Sequence, residues 1–266
     1  MTKNRTEAGW YAVRPLILYL LLFISIREIL YWSIDTAAAS VFHAQAMEDP
    51  SYYAFLGTAV TGFSSACAVL PLLKAGRRHI LIMRVKSVSA WITKRKDRRF
   101  LMGILPAGTI CLCALLNILL SGEGYPAPYP LPPAALPLEA AVYGILTPFV
   151  EELVYRGIVW YRFRKGFGAL NAAVISSLLF GIAHADLRQG TYAFLLGLVF
   201  AFTYELTRRF EVPFLLHSAC NLAVLAANAA GWADLFRTPM WTIFFAVTAA
   251  AVFSYWGIRY HRSPHS

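Results

Sequence analysis

Eight apolar runs, each close to the length a helix needs to cross a bilayer, divide this chain and leave it few possible folds. They lie at roughly 15–34, 53–73, 100–121, 137–161, 169–187, 190–207, 213–231 and 240–258. About 20 mainly apolar residues span the hydrocarbon core. In lipid, a helix is the one open structure that satisfies its backbone polar groups within a single segment. The runs therefore predict an all-α, polytopic membrane helix bundle of about eight transmembrane helices. Composition agrees, since 58% of the 266 residues are hydrophobic and 14% are charged, well outside the balance of a soluble domain.

The net charge of +10 invites a nucleic-acid partner, but the basic residues gather between apolar runs and not along one soluble face, so none is expected. Connection 74–99 alone carries Lys74, Arg77, Arg78, Arg84, Lys86, Lys94, Arg95, Lys96, Arg98 and Arg99. Arg162, Arg164 and Lys165 follow the fourth run, Arg208 and Arg209 the sixth, and Arg259 and Arg262 the eighth. Connections 35–52 and 122–136 are acidic or Pro-rich, and Arg188 and Arg237 are the exceptions. This alternation predicts a multi-pass protein of the cell membrane with both termini cytoplasmic and 122–136 outside.

The basic start followed by apolar 16–26 resembles a signal peptide. Its small-residue site at 44–46 is too distant, so an uncleaved first helix is expected. Segment 79–93 mixes aliphatic, tryptophan and basic residues, which suits a helix in the headgroup region. Cys67, Cys111, Cys113 and Cys220 fall inside apolar runs without metal-ligand spacing and read as small buried hydrophobes. The chain divides into N-terminal membrane helices at 1–136, a unit carrying the polar motifs at 137–231, and a last helix with its tail at 232–266.

The fourth run holds Glu151, Glu152 and Arg156. Ionisable groups inside a membrane segment are costly unless paired or facing a wet cavity. On a helix Arg156 reaches back to Glu152 as an i,i+4 pair, while Glu151 is rotated about 100° away. One glutamate is neutralised and the other is left for chemistry. The alternative is a purely structural ion-pair cluster. Pro148 removes a backbone donor just upstream and bends the helix.

The fifth run ends in Phe180-Gly-Ile-Ala-His184 and the seventh carries His217-Ser-Ala-Cys-Asn221. His184 and His217 are the two of the six histidines assigned to apolar runs. His217 and Asn221 share a helix face at i,i+4. Glutamate, two histidines and asparagine on three helices form a set able to activate water and hold an oxyanion, as amide hydrolysis requires.

The order EExxxR, FxxxH and HxxxN, each on its own membrane helix, resembles the CPBP family. That family is named for CAAX proteases and bacteriocin-processing enzymes and includes the Ras-converting type of CAAX prenyl endopeptidase. The resemblance covers about 137–231. It implies that Glu151 and His184 activate the attacking water, that His217 and Asn221 stabilise the oxyanion, and that Glu152, Arg156 and Phe180 shape the site. By straight helices, Glu151 falls mid-membrane, His217 near the cytoplasmic end and His184 nearer the outer end, so broken or tilted helices or shifted boundaries are needed to join them.

Two histidines and a glutamate can ligate zinc, but the spacing is not HExxH, and the resemblance implies that the carboxylate itself is the base. No cofactor is expected, zinc being the weaker alternative. The expected function is intramembrane endopeptidase, a hydrolase acting on a membrane-anchored protein or its C-terminal tail, with membrane lipids as surroundings. The competing readings are a non-catalytic partner-binding or immunity protein using the same polar cluster, and a proton-coupled transporter. The last is weakened by the absence of matching interrupted helices in two halves.

Overall fold

The fourth apolar run becomes the most deeply buried part of the bundle. In the computed structural model, which describes residues 5–41, 50–85, 100–121, 135–236 and 238–261, long helices follow one another and the described residues contain no strand. They are α1 (Arg5–Val41), α2 (Pro50–Val85), α3 (Phe100–Ile104 wound as a π-helix, then α-helical over Leu105–Ser121) and α4. Helix α4 runs unbroken from Leu136–Ala141 to Tyr161–Phe167. Then come α5 (Ala169–Ile182), α6 (Leu187–Thr207), α7 (Glu211–Ala229) and, after the turn Ala233–Phe236, α8 (Pro239–His261).

A helical membrane bundle is what the apolar runs predicted, and the chain is a multi-pass integral membrane protein. Its number of crossings is less simple. Among the described residues four helices are long and apolar enough to span: Ala54–Ile82, Leu187–Thr207, Glu211–Ala229 and Pro239–Ile258. Leu105–Leu120 and Ala169–Ile182 are apolar but shorter. The 14 residues of α5 reach about 21 Å at 1.5 Å each, against about 30 Å of hydrocarbon. By length and apolarity alone, four helices among the described residues meet the requirement for spanning.

Two boundaries move with consequences. Helix α2 continues through Lys74, Arg77 and Arg78 to Val85, so the first half of the basic connection is helix. Lysine and arginine are good helix formers whose stems lie along apolar surface while their charges reach water. His79, assigned to that connection, is instead buried at 8% exposure, its Nδ1 3.2 Å from the Gly157 carbonyl and its ring stacked 4.2 Å from Tyr161. Residues 86–93 of the expected headgroup helix, the site at 44–46 and nearly all of the Pro-rich connection, 122–134, lie outside the described residues.

The second boundary is the end of α5, which stops at Ile182 rather than 187. Ala185 turns the chain with φ 57°, in the left-handed region, and the Asp186 side chain caps α6 by accepting from Gln189 N at 2.7 Å. Helices α5 and α6 then cross so tightly that a Cβ on Gly181 would sit 2.6 Å from the Gly190 carbonyl oxygen. Small residues permit this backbone approach between membrane helices.

Every residue of Leu153–Trp160 in α4 is buried. Around it pack Leu16 and Tyr19 from α1, Ala68 and Leu72 from α2, Phe180 from α5, and Ala201 and Tyr204 from α6. A second cluster joins α3, α6 and α7 through Phe100, Cys113, Phe200, Leu216 and Cys220. Helix α8 closes over α3 at Cys111, Phe245 and Ala249. Cys111, Cys113 and Cys220 are buried, Cys67 is half-buried, and all four are free thiols.

Candidate active site

Helix α4 changes its winding twice around the two glutamates. Val142–Leu146 and Leu153–Trp160 are π-helical, and Thr147–Glu152 between them is α-helical. Such wider turns are uncommon and frequently mark functional positions. Pro148 makes the first one consequential. The Thr147 N–H bonds to the Val142 carbonyl, so it does not serve Tyr143, and Pro148, the next donor in line, has no N–H. The Tyr143 carbonyl is therefore left without a backbone partner, and Asn221 Nδ2 donates to it at 2.9 Å.

The two glutamates separate as the helix face predicts. Glu152 is 0% exposed, and Glu151 is 18% exposed. Arg156 Nη1 donates to Glu152 Oε1 at 2.9 Å, and its Nη2 donates to the Gly197 carbonyl at 2.9 Å. The guanidinium lies over Phe180 at 4.9 Å and over Phe200 at 5.5 Å. Gly197 suits this approach, since a Cβ would come a tight 3.1 Å from Arg156 Nη2. Phe180 also packs edge-on to Tyr155, His184 and His217.

His217 sits between the carboxylates. Its Nδ1 donates to Glu152 Oε1 at 3.0 Å, and its Nε2 is 3.6 Å from Glu151 Oε2. Its ring stacks on Phe200 at 4.9 Å. The bond to ionised Glu152 fixes the proton on Nδ1 and turns Nε2 toward Glu151. His184 is fixed likewise: its Nδ1 donates to the Phe180 carbonyl at 2.8 Å. A carbonyl only accepts, so in the neutral ring Nε2 carries the lone pair.

Glu151 and His184 line one cavity of about 160 Å³, together with Thr147 and Tyr155. Asn221 lines a separate pocket of about 360 Å³ with Asn117, Arg188, Tyr192 and Asn228. The structure thus brings together Glu151, Glu152, Arg156, Phe180, His184 and His217, and leaves Asn221, one turn further along α7, on the separate pocket with Tyr143. The mismatch in height disappears because α5 ends early and α7 begins at Glu211, six residues before His217. Among the described residues no three His, Cys, Asp or Glu side chains converge to hold a metal ion.

Sequence reasoning missed Gly197, the Tyr143 carbonyl, and the part that α1 and α2 play in the cavity, which Tyr19 and Ser65 also line. A second ion-pair site lies near the end of α6. Glu205 on α6 is held by Arg164 at 2.6 and 2.8 Å and by Arg208, so part of the basic cluster after α4 is spent on a partner across the bundle.

The family described as type II CAAX prenyl endopeptidase, Rce1-like, matches residues 133–223. YdiL, a proposed membrane peptidase of Bacillus subtilis (strain 168), is 36% identical over 91 residues, 34% of this chain and 37% of that protein. MroQ, named a membrane-embedded CAAX protease of Staphylococcus aureus (strain USA300), is 30% identical over 95 residues, 32% of this chain and 37% of that protein. The chain therefore covers little more than a third of the length of either relative. No solved structure matches. Over the matched segment, which contains Glu151, Arg156, His184, His217 and Asn221, the chain is similar to CAAX protease-like membrane proteins.

Proposed function

We propose that this chain is an intramembrane endopeptidase in which Glu151 is the base. The observation that carries this reading is the joint exposure of Glu151 and His184 to one small cavity, while Glu152 is sealed in an ion pair. A water between Glu151 and His184 Nε2 gives its proton to Glu151 as its oxygen adds to the peptide carbonyl carbon, and the carbonyl electron pair moves onto oxygen. The tetrahedral anion collapses, the C–N bond breaks, and the proton passes from Glu151 to the leaving nitrogen. The products are a carboxylic acid and an amine, which exchange a proton to leave a carboxylate and an ammonium. His217 Nε2, 3.6 Å from Glu151 Oε2, can hold that proton between steps.

Asn221 and, once its Nε2 has taken up the proton from Glu151, His217 are the oxyanion donors that the family resemblance implies. Asn221 spends one amide hydrogen on the Tyr143 carbonyl and keeps the second. The substrate is a membrane-anchored protein or its C-terminal tail, reached within lipid, in a cell membrane that leaves both termini cytoplasmic.

The test is cleavage by purified protein in proteoliposomes, using internally quenched peptides with apolar C-terminal tails, with and without a prenyl group. Glu151→Gln keeps shape and hydrogen bonding but removes the base, and is expected to abolish turnover with an unchanged melting temperature. Chelators are expected to leave the rate unaltered. Equal cleavage by Glu151→Gln and the parent would remove Glu151 from the mechanism and favour the partner-binding reading. Loss with chelator and recovery with zinc would replace the base with a metal-bound water.

A further inference from the structure

Half of the cavity wall beside Glu151 comes from outside the family segment. Thr147, Glu151 and Tyr155 stand on α4 and His184 on the turn after α5, but Tyr19, Leu20 and Phe23 belong to α1 and Thr61 and Ser65 to α2. A carbonyl attacked by the water of Glu151 develops negative charge on oxygen, and that charge needs preorganised donors about 2.7–3.1 Å away in a dry site. Asn221 approaches from another pocket, with one hydrogen already engaged. His217 faces the two carboxylates. The α1 and α2 wall offers a further donor.

Tyr19 is buried at 6% exposure, and its ring lies parallel to Phe23 at 6.0 Å, so its hydroxyl is held by packing. The oxygen is 3.3 Å from Ser65 Oγ. That is long for a bond between hydroxyls, whose usual separation is about 2.7–2.8 Å, so exchanging it for a better acceptor costs little. With Ser65 donating to the phenol oxygen, the Tyr19 proton is free for the cavity. A phenol is also more acidic than the alcohols of Thr61 and Thr147, and so a stronger donor to an oxyanion. Thr58 on α2 spends its hydroxyl on the carbonyl one turn back, whereas Thr147 Oγ1 makes no hydrogen bond to the described residues and is the weaker alternative donor in the same wall.

We propose that Tyr19 is a catalytic residue, donating its phenol proton in a hydrogen bond to the scissile carbonyl oxygen as that oxygen becomes an anion, with Ser65 as the residue that positions it. The assignment rests on the endopeptidase reading above, and predicts that α1 completes the active site.

The experiment measures kcat and KM for parent, Tyr19→Phe, Ser65→Ala and Glu151→Gln on the same quenched peptides in proteoliposomes, with melting temperatures in parallel. Tyr19→Phe is expected to lower kcat about 10²–10³-fold, the usual loss of one oxyanion donor, with KM within about twofold and melting unchanged. Ser65→Ala is expected to lower kcat by less. Fluorotyrosine at position 19 keeps the shape and acidifies the phenol, so the alkaline limb of the pH–rate profile should move to lower pH. A hydroxyl that merely supports the fold would not move it. Parent-like kcat in Tyr19→Phe, with Glu151→Gln inactive, overturns the role of Tyr19 and leaves the peptidase reading standing. Parent and Glu151→Gln alike on every peptide overturns both. If Tyr19→Phe melts low, an unmoved alkaline limb in the fluorotyrosine protein overturns the assignment.

Discussion

Replacing Arg156 with methionine tests whether the sealed ion pair supports the fold, and the structure sets the size of the effect. Glu152 and Arg156 are both 0% exposed and meet at 2.9 Å. Removing the cation leaves a buried carboxylate with only His217 Nδ1 beside it at 3.0 Å, and strips the Gly197 carbonyl of its donor. Breaking a buried pair from one side costs about 3–5 kcal/mol. The lost contacts with Phe180 and Phe200 are part of that cost and are not added to it, because neighbouring effects are not independent. At about 2–4 °C per kcal/mol for a chain of this size, melting in detergent should fall by roughly 6–20 °C.

The double variant Glu152→Gln with Arg156→Met separates charge from shape. It removes the desolvation penalty of both ions while the glutamine still accepts from His217. Glu152 Oε2 and Arg156 Nε make no hydrogen bond to the described residues in the parent, so little is lost there. The double variant should therefore melt well above Arg156→Met. Arg156→Met within about 2 °C of the parent, or a double variant melting below it, would refute the reasoning.

Asn221→Ala leaves the Tyr143 carbonyl without that donor, which should cost about 0.5–1.5 kcal/mol in melting, and should lower kcat about 10²–10³-fold as an oxyanion donor is lost. Parent-like kcat with lowered melting would reduce Asn221 to a tether for α4. Ala185→Gly relieves a left-handed residue, an arrangement worth about 1–2 kcal/mol, against about 0.5–1 kcal/mol of extra chain freedom. Melting should rise slightly, and a fall would mean that the Ala185 methyl is needed for packing. Glu205→Gln releases Arg164 and Arg208 at a site where Glu205 is 17% exposed. Allowing for solvent screening, the loss should be about 1 kcal/mol and should shrink from low to high salt; a salt-independent loss would contradict an ionic origin.

Local regularities were legible in the sequence because helix geometry is local. The apolar runs announced a membrane bundle, and the i,i+4 spacing announced the Glu152–Arg156 pair and freed Glu151. Three motifs in order pointed to the family that residues 133–223 match. What the sequence could not reach depends on how helices sit against one another. His217 meets Glu152 across 65 residues, and Asn221 meets Tyr143 across 78. That second contact exists because a π turn and Pro148 together free one carbonyl, and no periodicity reports such a change of winding. The early stop of α5 follows from the turn through Ala185 and the Asp186 cap, which brings His184 to the cavity of Glu151. His79 opened the segment expected in the headgroup region, whereas α2 carries it into contact with Tyr161. The wall supplied by Tyr19 and Ser65 lies more than 80 residues before Glu151 in the chain, and its closeness is a product of packing alone: the buried face of α4 is wide enough to need α1 and α2 as well as its own neighbours in sequence.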